Sequence, residues 1–69
     1  MKKLSLLLAD TVEACKYAIR IKPDDAEAHY ILGGAYLMTG DKGSAIEEYK
    51  ILKTLDAERA NKLVTLIGE

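Results

Sequence analysis

The chain has 69 residues, 49% of them apolar and 30% charged, with 10 Lys and Arg against 11 Asp and Glu. That length holds one domain at most, and the composition is that of a folding chain, not a disordered one. A net charge of −1 supplies no clustered basic surface for nucleic acid, and the single cysteine excludes an intramolecular disulfide and a four-cysteine metal site.

The first predicted helix runs from about Lys3 to Ile21. Leu4, Leu8, Val12, Cys15, Ala18 and Ile19 recur at three-to-four spacing and form one stripe. The opening Met1–Ala9 imitates a secretory leader, but Asp10 and Glu13 arrive too early for the apolar stretch such a leader needs. No run approaches the roughly 20 apolar residues of a membrane span, so no membrane contact is expected. Cys15 falls on the apolar stripe and reads as a buried, inert thiol. A lone thiol fits a reducing compartment, so a cytoplasmic location is expected. Pro23 ends the helix, because the residue before a proline disfavours the α region.

The second helix is predicted from about Asp25 to Thr39. Asp24 is the expected cap, with Glu27 three residues later as in a capping box, and Gly40 lies where a left-handed residue is needed. The third runs from about Gly43 to Leu55, capped by Asp41. The connection Gly40-Asp41-Lys42 is so short that the two helices must form an antiparallel hairpin. The fourth runs from about Ala57 to Ile67, with Asp56 as cap and Gly68 as stop. The expected fold is all-α, with four helices.

An offset of 34 residues superimposes Glu13 on Glu47, Lys16 on Lys50, Ala26 on Ala60 and Gly34 on Gly68, with Val12 on Ile46 and Ile21 on Leu55. Helix boundaries coincide under the same offset. In residues 26–59, Leu32-Gly33 is followed by Tyr36, then by Ala45 and Tyr49, and Pro23-Asp24-Asp25 stands just before. This segment resembles one complete tetratricopeptide repeat, whose period is 34 and whose unit is a helix hairpin. By the same resemblance, residues 1–25 are the outer helix of a preceding repeat, with Ala18 and Pro23 in place, and 60–69 is the helix that closes such arrays. The implied architecture is a four-helix solenoid fragment in one domain.

Three signature positions depart from the family. His29 replaces a Trp, Leu52 replaces a small Ala, and Ala57 replaces the Pro that ends the outer helix. The last departure leaves the break to Asp56 alone, so the third and fourth helices are expected to be more continuous than in the family. In the first helix, Thr11 and Cys15 stand where a small residue and a Tyr are usual.

The chain holds no His-Glu-x-x-His, Cys-x-x-Cys or Gly-x-Ser-x-Gly pattern. His29, the one histidine, shares a face with Leu32, Gly33 and Tyr36 and reads as a packed side chain. Gly40–Ser44 precedes a helix start, where phosphate can be received, but lacks P-loop spacing and is an ordinary repeat turn. Asp24 and Asp25 point in different directions and read as capping residues. Glu13/Lys16, Glu47/Lys50 and Glu58/Lys62 have the spacing of surface pairs. The chain is therefore expected to be no enzyme and to carry no cofactor and no metal. A phosphate-binding or enzymatic reading would rest on the Gly40–Ser44 turn and His29 alone.

Successive helical residues turn by about 100°, which gathers Glu27, Tyr30, Gly34, Leu37 and Met38 on one side of the second helix. His29, Leu32, Gly33 and Tyr36 lie on another side, toward the third helix. The resemblance implies that the former set is the concave, partner-binding face. Relatives that clamp a terminal carboxylate place Lys, Asn and Arg there. Here Tyr30, Gly34 and Met38 occupy those positions, which implies apolar recognition of a protein, peptide or helix. The competing reading has these side chains merely covering neighbouring helices. An uncovered stripe of Leu4, Leu7, Leu8 and Val12 gives a further option, a homodimer in which a second copy covers the first helix.

Overall fold

A computed structural model describes the backbone of residues 2–68 and the side chains of residues 10–68. Four helices follow in order: α1 (Lys2–Ile21), α2 (Ala26–Met38), α3 (Lys42–Leu55) and α4 (Ala57–Ile67). No strand occurs among the described residues, and the fold is all-α.

Local chemistry sets each boundary. The N–H of Lys22 still donates to Ala18 O at 2.8 Å, and Pro23 prevents a further turn. The cap of α2 is Asp25, not the expected Asp24. The N–H of Asp25 donates to Lys22 O at 3.0 Å, which fixes this residue in extended geometry, and its carboxylate accepts from the Ala28 N–H at 3.1 Å. Glu27 is then one residue too early to close a capping box. At the other end Gly40 takes φ +84°. Its N–H donates to Leu37 O at 3.1 Å and the N–H of Asp41 to Tyr36 O at 2.8 Å, the two bonds of a Schellman motif.

Asp41 then caps α3, accepting from Ser44 N–H at 3.1 Å and Ser44 Oγ at 2.7 Å. These bonds hold its carboxyl below the usual aspartate range. Between α3 and α4 the helix breaks at one residue. Asp56 is extended (φ −158°, ψ 95°) and accepts from the N–H groups of Glu58 and Arg59, both at 3.1 Å. The expected continuity of these helices is therefore absent: Asp56, extended and capping α4 with its side chain, separates them. Arg59 Nη1 donates to its second oxygen at 2.8 Å, and this contact chiefly pulls the Asp56 carboxyl below its ordinary range. Gly68 closes α4 at φ +91°.

Helix α2 is central and packs on α1, α3 and α4; α3 also packs on α4, and α1 meets α2 alone among the described elements. The core joins Ala45 and Leu52 of α3 to Ala60, Leu63 and Ile67 of α4. Leu52 and Leu63 are fully buried, each contributing about 1.5–3 kcal/mol of apolar transfer. Leu52 thus fills the core. Gly33 belongs to the side of α2 expected to face α3. A Cβ there would meet Leu63 Cδ2 of α4 first, at 2.6 Å, and Glu48 Cβ of α3 only at 3.3 Å. The missing side chain serves the α2–α4 approach before it serves the hairpin.

Candidate protein-docking groove

His29 is buried, and both its ring nitrogens are engaged. Nε2 donates to Pro23 O at 2.8 Å, since a carbonyl only accepts. Nδ1 lies 2.6 Å from Glu48 Oε1. The ring thus ties the α1–α2 turn, α2 and α3 together. It lines none of the concavities described below, and this geometry is structural. Asp25 is committed to its cap and Asp24 is exposed. Among the described residues no group of three His, Cys, Asp or Glu side chains is placed to hold a metal ion.

A concavity of about 500 Å³ opens along α2 between α1 and α4. It is lined by Ile31, Gly34, Ala35, Leu37 and Met38 of α2, with Thr11 of α1 and Leu66 of α4 on its flanks. Gly34 leaves open space where a side chain would stand. The rim is apolar and exposed: Met38 by 68%, Leu66 by 59% and Ile31 by 42%. A backbone of small or apolar residues with exposed large ones at its edge is the usual make-up of a recognition surface.

Of the five residues expected on this face, Gly34, Leu37 and Met38 line the groove. Glu27 and Tyr30 lie nearer the start of α2, in a polar hollow of about 280 Å³ shared with Asp56 and with Glu58, Arg59 and Lys62 of α4. Ile31 borders both spaces. Tyr30 and Leu37 also pack on the core cluster, so part of their area is spent within the molecule, as the competing reading held. A third recess, about 220 Å³, lies between Ala14, Cys15 and Ala18 of α1 and Ala28 and Ile31 of α2. Burial pushes the Cys15 thiol up, helped by the charges of Glu48 and Asp25, which keeps it protonated and unreactive.

Sequence reasoning missed Ile31 and Leu66. Ile31 lies one turn before Gly34 and Ala35, which is a signal. Leu66 stands 34 residues after the buried Leu32, and that offset is the one signal for it in the sequence. Of the proposed self-association residues, Val12 is half-buried on α1; the side chains of Leu4, Leu7 and Leu8 lie outside the described residues. No helix among those described is long and apolar enough to cross a membrane. Comparison with protein-family models, curated proteins and solved structures returns no match to this chain.

Proposed function

We propose that this chain is a protein-interaction module of tetratricopeptide type, holding an apolar peptide or helix in the groove along α2. The observation that carries this reading is the 500 Å³ apolar concavity with Met38 and Leu66 more than half exposed at its edge. Exposed methionine and branched aliphatic side chains around an open glycine suit a partner that supplies apolar anchors. Polar groups collect at the Glu27–Lys62 end, where they orient the partner. The Leu32-Gly33, Tyr36, Ala45 and Tyr49 pattern supports the repeat reading. The module needs no cofactor and does no chemistry, and its protonated thiol suits a reducing, cytoplasmic setting.

The test is selection of peptides from a random display library. Binders enriched in apolar residues are expected, and Met38→Lys with Ile31→Lys should abolish their binding while leaving helicity intact. These two side chains are better probes than Tyr30 and Leu37, whose truncation also disturbs the core. Selected peptides that bind the double variant as well as the parent would refute the proposal.

A further inference from the structure

His29 is the one buried polar side chain among the described residues, and its ring ends on two acceptors. Pro23 O accepts from Nε2 at 2.8 Å, and Glu48 Oε1 lies 2.6 Å from Nδ1. A neutral imidazole has one N–H, and here Nε2 must carry it, because a carbonyl only accepts. Nδ1 then turns a lone pair toward a carboxyl oxygen. The contact is a hydrogen bond only if one further proton sits between Nδ1 and Oε1. That proton belongs to the pair, whether drawn as imidazolium with carboxylate or as imidazole with carboxylic acid. Its removal sets a lone pair against a carboxylate, with the two side chains only 5% and 12% exposed.

Among the described residues α1 packs on α2 and not on α3. The His29 ring reaches from α2 to Pro23, in the turn that ends α1, and to Glu48 of α3. It therefore fastens the end of α1 to the α2–α3 hairpin. The ionisable neighbours leave the shared proton without a substitute. From α1 comes Cys15, a thiol kept protonated by burial and by the charges of Glu48 and Asp25. From the turn comes Asp25, whose carboxylate caps α2. Lys16 and Arg20 of α1, Lys22 of the turn and Lys50 of α3 are exposed. Arg59 and Lys62 of α4 collect with Glu27 in the hollow on another side of α2. No lysine or arginine among the described residues is buried.

We propose that the His29–Glu48 pair is a pH-sensitive latch: with its shared proton it holds α1 against α2, and loss of that proton releases α1. A proton bound in the closed form and absent from the open one makes closure weaken as pH rises, by up to about tenfold per pH unit. The closed form is favoured at low pH and the open form at high pH. Release uncovers Cys15, which faces Ala28 and Ile31 of α2 across the smallest recess. It also withdraws Thr11 from the flank of the groove.

Cys15 is the only thiol, so its reactivity reports release. Its rate with a dipyridyl disulfide would be measured for the native chain and for the urea-unfolded chain at the same pH, so that ionisation of the thiol cancels in the ratio. The series starts at about pH 5 and runs upward until the nitrogen-15 shifts of the His29 ring report loss of the shared proton. The native-to-unfolded ratio is expected to rise with pH up to that point and then to level off, with far-UV circular dichroism still helical. In Glu48→Gln the amide N–H donates to a neutral Nδ1 and the amide oxygen accepts from a charged ring. That tie needs no titrating proton, so the ratio should stay flat. If the variant does not fold, the rise and the levelling in the parent decide alone. A parent ratio that is flat below the ring's titration, an equal slope in a folded Glu48→Gln, or a rise that follows loss of helicity would each overturn the latch.

Discussion

Gly33 and Gly34 are neighbours in α2, yet an added methyl group meets opposite surroundings at the two positions. Alanine is favoured over glycine in a helix interior by about 1 kcal/mol, and this gain applies to both. At Gly34 a Cβ would have nothing within 4 Å, so the gain is realised. A chain of this size should then melt about 4–8 °C higher. At Gly33 the Cβ would stand 2.6 Å from Leu63 Cδ2 and 3.3 Å from Glu48 Cβ. Leu63 is fully buried and has no solvent to swing into, and Glu48 is held by His29. Overpacking of this kind costs about 1–3 kcal/mol. The propensity gain cancels in the comparison, so Gly33→Ala should be less stable than Gly34→Ala by about 1–3 kcal/mol. Thermal and urea melts followed by far-UV circular dichroism measure that difference. Equal shifts for the two variants would refute the close α2–α4 approach.

Replacing His29 alone with Leu leaves the half-buried Glu48 carboxyl group without its partner, a loss of about 1–3 kcal/mol. The double variant His29→Leu/Glu48→Ala copies the residues found 34 positions away, Leu63 and Ala14, and should recover most of that loss. Urea melts check this, and a double variant as unstable as the sum of the single ones would contradict it. Asp56→Asn should lower the melting temperature at neutral pH. The folded Asp56 carboxyl lies below its ordinary range because of Arg59, so its contribution is present above the unfolded value and lost as pH falls through the folded one. Parent and variant melting temperatures should converge in strong acid; a constant gap across pH would refute the carboxylate's role. Cys15, buried and held protonated, should react with a thiol reagent far more slowly in the native chain than in urea. Equal rates would show that the α1–α2 contact opens freely.

Helix order was legible because single residues punctuate it. Gly40, Asp41, Asp56 and Gly68 each terminate or cap where the sequence placed them. Asp24 and Asp25 are chemically identical, and only the turn bond from the Asp25 N–H to Lys22 O selects the second as cap. His29 was legible as a packed residue, but its partner Glu48 was not, because a helix face does not tell which side chain crosses from its neighbour. The same holds for Gly33, whose nearest neighbour belongs to α4 and not to the adjacent helix in sequence. For the groove, helical rotation alone grouped Gly34, Leu37 and Met38. Ile31 and Leu66 escaped because their exposure depends on which helices stand beside α2 and α4, and rotation carries no information about that.

The groove itself is tested most directly by amide chemical-shift mapping. The labelled chain would be titrated with a peptide selected for binding to it. The account expects the amides of Ile31, Gly34, Ala35 and Met38 on α2, and of Leu66 on α4, to move together and saturate. Shifts confined to Lys50, Lys53 and Thr54 on the outer side of α3, with the α2 amides unmoved, would contradict it.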